Sequence, residues 1–120
     1  MDLVEILASM ITDDGLSVAL IVGRDGLLVE GQSRGSGMDL QAVGAMAARS
    51  LGDADRVGKT LNAGAVNRLR IRFDSYLVSI ETVTETDLLV AAVSNPSDGE
   101  RLFNALARHF TQLQHLLGDL

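Results

Sequence analysis

Residues Val66 to Phe73 read V-N-R-L-R-I-R-F. This strict alternation fits a strand and not a helix. Successive side chains leave a strand on opposite faces, so Leu69, Ile71 and Phe73 share one side and Arg68, Arg70 and Arg72 the other. Asp74-Ser75 then offers a two-residue turn, and Tyr76 to Val83 runs back. A turn that tight sets Ile71 against Val78, Leu69 against Ile80 and Arg68 against Glu81. The last pair, of opposite charge, contributes about 0.2–1 kcal/mol. Arg70 and Arg72 have no such partner across the turn.

The chain enters this strand from its longest expected helix, Met38 to Leu61, MDLQAVGAMAARSLGDADRVGKTL. Leu40, Val43, Ala47, Leu51, Ala54, Gly58 and Leu61 recur at steps of three and four, the helical period. Gly44, Ala45, Ala47, Ala48, Ala54 and Gly58 leave much of its surface small, which lets a second backbone approach. The helix is therefore expected to pack on its own sheet and on a partner. Alanine is also the best helix former, and that alone accounts for part of this composition.

The rest of the chain supplies the other elements. Asp2 to Asp13 predicts a first helix with Leu3, Leu7 and Met10, flanked by Val4 and Ile11, on its apolar face. Asp2 stands at its cap and Asp14-Gly15 closes it. Leu16 to Gly23 is almost wholly apolar and predicts a strand covered on both faces. Arg24-Asp25-Gly26 is a tight turn, and Leu27 to Gln32 returns as a hairpin. Ser33 to Gly37 is a loop. Leu88 to Val93, LLVAAV, has no alternation and is expected to be the central strand. After Asn95-Pro96, with Ser97 or Asp98 as cap, Leu102, Phe103, Leu106, Phe110, Leu113 and Leu117 predict a last helix to the C-terminus. Helix, hairpin, helix, three-stranded meander and helix make an α+β layout with five mainly antiparallel strands. The length of 120 residues suits one domain spanning 1–120.

Composition narrows the chemistry. Cysteine is absent, which excludes a disulfide scaffold and a thiolate zinc site. The net charge of −6 argues against a general nucleic-acid binder, although the arginine row is a local basic stripe. No apolar run approaches the roughly 20 residues of a membrane span, and the acidic N-terminus is unlike a signal peptide. The cytoplasm is the expected location.

Four motifs that suggest chemistry fall short of it. Gly58-Lys59-Thr60 lacks the glycine that a phosphate-binding loop requires at position 53, which is Asp53, and it lies at a helix end where carbonyls point outward. Gly35-Ser36-Gly37 has Leu40 where a dinucleotide fingerprint needs its third glycine. His109 and His115 are six residues apart on a helix and diverge. No serine stands in a nucleophile-elbow setting. Catalytic, cofactor and metal residues are therefore expected to be absent.

In order and spacing the chain resembles the Roadblock/dynein light chain family, of the type of bacterial small-GTPase regulators. The resemblance covers nearly the whole length. It is carried by the hairpin A-L-I-V-G-R-D-G-L-L-V-E-G (Ala19 to Gly31), the alanine-rich helix, and D-L-L-V-A-A-V (Asp87 to Val93). Members often carry Ala-Asn-[Leu/Ile]-Gly before the last helix, and here that stretch is Asn95-Pro96-Ser97-Asp98-Gly99-Glu100. The resemblance implies a three-layer α/β/α sandwich of Roadblock/profilin-like form, with one helix on one face of the sheet and two on the other. It implies a dimer, with itself or with a paralogue, joined through the edge strand after the middle helix and through that helix. It further implies a non-catalytic partner of a small Ras-like GTPase or, as an alternative, a scaffold subunit indifferent to nucleotide. The interface residues expected on this basis are Ala47, Leu51, Ala54, Gly58, Leu69, Ile71 and Phe73. Those expected to meet the GTPase are Met46, Arg49, Asp53, Arg56, Arg70 and Arg72. Two copies paired edge to edge bring arginine rows together unless an antiparallel offset or acids such as Glu81 and Asp74 separate them, and the arginines could equally serve to oppose such pairing. A third reading, an enzyme or small-ligand sensor on a related sandwich, needs convergent polar groups that the sequence does not offer.

Overall fold

In the computed structural model, which describes residues 1–118, the first helix α1 (Leu3–Thr12) is set by a reciprocal cap. The Asp2 carboxylate accepts from the Glu5 backbone N–H, and the Glu5 carboxylate accepts from the Asp2 N–H. Its buried face is Ile6, Leu7, Met10 and Ile11. Ile6 replaces the expected Val4, which is exposed. Gly15, at φ +76°, makes the left-handed exit that glycine permits without strain.

The sheet is built from β1 (Val18–Gly23), β2 (Leu28–Ser33), β3 (Arg68–Arg72), β4 (Leu77–Thr82) and β5 (Asp87–Val93), in the order β2-β1-β5-β4-β3. Every pairing is antiparallel. The register of the β3–β4 hairpin is the expected one, with Arg68 opposite Glu81, Leu69 opposite Ile80 and Ile71 opposite Val78. The Phe73 N–H donates to the Tyr76 carbonyl at 2.7 Å and closes the two-residue turn. β5 is central, as its unbroken apolar run predicts, and both β1 and β5 are buried on both faces.

Helix α2 (Leu40–Thr60) is capped by Asp39, whose carboxylate accepts from the Ala42 N–H. It lies alone on one face, chiefly over β2 and β1. There Ala47, Ala48 and Leu51 meet Leu20, Val22, Val90 and Ile80. A Cβ on Gly44 would come within 3.1 Å of Val22, so the small residues here let α2 settle closely on its own strand. The other face carries α1 and α3 (Gly99–Gly118), with Leu102, Leu106 and Leu113 packed on Ile21, Leu89 and Ala91. This is the three-layer sandwich, with one helix against two.

A single 3-10 turn, Pro96–Asp98, precedes α3. Asn95 caps this turn, its side-chain carbonyl accepting from the Ser97 N–H at 3.0 Å, and the expected cap candidates Ser97 and Asp98 lie within the turn. Proline at the first position of that turn holds the φ a helical start needs and leaves Asn95 as the extended residue before it. Residues 119–120, which the expected last helix and the expected domain span include, lie outside the described residues. No helix among the described residues is long and apolar enough to cross a membrane.

Candidate functional site

The outward side of α2 carries Met46, Arg49, Asp53 and Arg56 at helical spacing, all exposed. Met46 is 61% exposed, and Val57 beside the row is similarly open. Arg56 and Asp53 form an ion pair one turn apart. Behind this row Asp55 holds the end of the helix in place. Its Oδ2 lies 3.4 Å from an Arg24 guanidinium nitrogen, and its Oδ1 accepts from the Val66 N–H at 3.1 Å. Arg24 also donates to the Thr82 hydroxyl at 3.2 Å. Near the start of the helix Gln41 accepts from the Leu28 N–H and donates to the Gly26 carbonyl, which ties α2 to the β1–β2 turn.

Because α2 lies toward β2, the same face of β4 and β3 is left partly open. Leu69, Ile71, Tyr76 and Val78 are half-buried there. A recess of about 380 Å³, lined wholly by apolar atoms, runs between Met38 and Val43 of the α2 end and Phe73, Tyr76 and Val78. Phe73, just past β3, is 52% exposed.

The arginines occupy the opposite face. Arg68 is ion-paired with Glu81. That carboxylate is 2% exposed, and its Oε2 has no hydrogen-bond partner among the described residues. The Ser79 hydroxyl beside it, also buried, has none either. Arg70 stands over the Phe103 ring of α3, 3.7 Å from its centroid. Burial lowers the Arg70 pKa below the ordinary arginine value. The neighbouring Arg68 charge adds to this, and Glu81 opposes it. Arg72 is exposed and makes no ion pair among the described residues.

These placements correct two expectations. Ala47 and Leu51 lie between α2 and its own sheet and are unavailable to a second chain. A Cβ on Gly58 would come within 2.7 Å of the Gly64 carbonyl oxygen, so the loop that follows the helix requires a glycine here. Ala54 and Gly58 are half-buried, and with Leu69, Ile71 and Phe73 they are what remains open of the expected interface set. The residues expected to meet a GTPase divide as well. Met46, Arg49, Asp53 and Arg56 share the α2 side, whereas Arg70 and Arg72 face the α3 side of the sheet, because strand alternation fixes them opposite Leu69 and Ile71.

Sequence reasoning missed two further sites of contact. Phe103 falls on the apolar stripe of the last helix, and nothing in the spacing tells that it also receives Arg70, which lies 33 residues earlier by number. The Asp14 carboxylate, 5% exposed, accepts from Arg108 and from His109 Nε2, the latter at 2.8 Å. This ties the α1–β1 loop to α3 and gives His109 a structural partner. Among the described residues no group of three or more His, Asp or Glu side chains is placed to hold a metal ion.

Comparison with known proteins agrees with this architecture. An uncharacterized protein of Methanocaldococcus jannaschii, MJ0310, is 34% identical over 58 residues, which is 48% of this chain and 50% of that protein. The chain thus spans about half the length of that curated relative. Myxococcus xanthus MglB superposes with a TM-score of 0.86 over 100% of both chains at 13% identity. A Roadblock/LC7 domain from Streptomyces avermitilis gives 0.72 over 94% of this chain and 98% of its own, at 15% identity. At such identities these likenesses establish the fold alone. The family described as the Roadblock/LC7 domain matches residues 3–92, from the start of α1 into β5, and the chain belongs to that family.

Proposed function

We propose that this chain is a non-catalytic, dimeric regulator of a small Ras-like GTPase in the cytoplasm. The two chains of the dimer, alike or paralogous, join along the β3 edge and through α2. The GTPase docks on the surface that the two middle helices then form. The observation that carries this reading is the off-centre seat of α2. It leaves Leu69, Ile71, Tyr76 and Val78 half-covered beside an open strand edge, while Met46 and Val57 stand exposed on the helix next to them. Apolar surface grouped beside an open edge favours burial by a second chain. The row Arg49, Asp53 and Arg56 supplies charges that select a partner and steer its approach.

The test is a pulldown with tagged protein from a lysate of its source, run in parallel with a non-hydrolysable GTP analogue and with GDP. The proposal expects a GTPase retained in one nucleotide state only, and lost with the charge-reversed variant R49E/R56E. Equal retention in both states supports a nucleotide-indifferent scaffold instead. Undiminished binding to R49E/R56E removes the α2 surface from the proposal.

A further inference from the structure

The open edge of β3 consists of arginine backbone. The Asn67 carbonyl accepts from the Thr82 N–H at 3.0 Å, and the Phe73 N–H donates to Tyr76. Both residues thus turn their ladder groups toward β4. Ladder groups alternate sides along a strand, so Arg68, Arg70 and Arg72 direct their N–H and C=O groups outward. Whatever strand joins this edge makes its hydrogen bonds to those three residues, and its own side chains stand directly opposite them, about 5.5 Å away between Cα atoms in an antiparallel pair.

An identical copy is a poor occupant. In an antiparallel pair about a two-fold axis perpendicular to the sheet, each face continues into the same face of the partner. Any register that overlaps most of β3 therefore sets arginine opposite arginine, and like charges directly opposite are destabilising. The acids that could relieve this are not free to do so. Glu81 is buried and already engaged by Arg68 within its own chain. Asp74 lies past the end of β3, in the turn. Arg72 has no anionic partner among the described residues, and Arg70 rests on an aromatic ring instead of a carboxylate.

We propose that the β3 edge takes the edge strand of a different chain, one carrying Asp or Glu at alternate positions opposite Arg68, Arg70 and Arg72, so that the functional dimer is heterotypic. This rests on the reading that β3 is the joining edge. The acid row would complete the arginine row on the α3 side, while Leu69 and Ile71 meet apolar residues of the incoming strand on the α2 side. Charge here selects the partner, and the backbone ladder provides attachment.

A charge-reversed copy of the chain itself is a suitable probe, since it offers the same strand with acids in the row. Fluorescently labelled wild type is titrated with unlabelled wild type or with unlabelled R70E/R72E, which keeps the Arg68–Glu81 pair, and the dimer formed by the labelled chain is followed by fluorescence-detected analytical ultracentrifugation. The expected result is a mixed dimer roughly tenfold or more tighter than the wild-type self-pair, in which every facing pair is arginine on arginine. The mixed dimer should weaken from about 0.05 to 0.5 M salt while wild-type self-association strengthens, as screening acts on attraction and repulsion alike. A wild-type self-pair as tight as the mixed one, or no association in the mixture, overturns the proposal. Should circular dichroism show that R70E/R72E is unfolded, R72E alone replaces it, with the same two outcomes. Arg72→Pro separates the two inferences, because it removes an outward N–H whatever the charge. If R72P leaves association intact, β3 is not the joining edge. If R72P abolishes association and charge reversal changes nothing, β3 is the edge but charge does not choose its partner.

Discussion

The guanidinium carbon of Arg70 stands 3.7 Å above the ring centroid of Phe103, joining the edge strand to α3 across the sheet face. Stacking of this kind contributes about 0.5–1 kcal/mol at open sites and more where water is excluded. A double-mutant cycle with R70Q and F103L, read by urea unfolding, should therefore give a coupling of about 0.5–1 kcal/mol. Additive losses would mean that the two side chains are neighbours without being partners.

Glu81 is a buried carboxylate held by one arginine. Removing Arg68 leaves the charge uncompensated, whereas neutralising the acid at the same time removes the problem. R68A should lose about 1–3 kcal/mol of stability, and R68A/E81Q should regain most of that loss. Chemical denaturation of the two variants side by side checks it. A double variant less stable than R68A alone would contradict this account.

Two glycines on α2 should respond in opposite ways to alanine. Gly52 has open space around its missing Cβ, so G52A should stabilise by about 0.5–1 kcal/mol through helix propensity alone. At Gly58 the new Cβ would strike the Gly64 backbone, and G58A should destabilise despite the same gain in propensity, by about 1–3 kcal/mol net. Thermal unfolding midpoints should thus move up for the first and down for the second.

The contact of Asp14 with Arg108 and His109 holds the end of α1 to α3. D14A leaves both donors without their buried acceptor and should cost about 1–3 kcal/mol. Hydrogen exchange should locate the loosening at the α1–β1 loop and the middle of α3, with the β3–β4 hairpin unaffected.

The legible parts of this chain were those whose pattern is local. Alternation from Val66 to Phe73 and the Asp74-Ser75 turn fix a register that the structure reproduces pair by pair. The apolar run at Leu88–Val93 marks the central strand because only a strand covered on both faces can do without polar residues. What stayed hidden depends on which face meets which. The small residues of α2 read equally well as facing a sheet or a partner, and only the packing of Gly44, Ala47 and Leu51 on Val22 and Leu20 assigns them to the sheet. The resemblance groups Met46, Arg49, Asp53 and Arg56 with Arg70 and Arg72 as one docking set, yet the sheet lies between them. The burial of Glu81 left no mark on the sequence, since an acid opposite an arginine reads as a surface pair.

The strand order also sets a sequence of events in time. Three of the four strand pairings form through a short connection, in the β1–β2 hairpin and the β3–β4–β5 meander. One ladder alone spans the chain, β1 with β5, where Val18 meets Ala92 and Gly23 meets Asp87. Closing that loop is the entropic toll of the fold, and it falls on a single encounter between two prebuilt halves. During synthesis the β1 flank waits, unpaired and wholly apolar, until residue 93 has emerged, so this interval is when the nascent chain is most exposed to association with its neighbours.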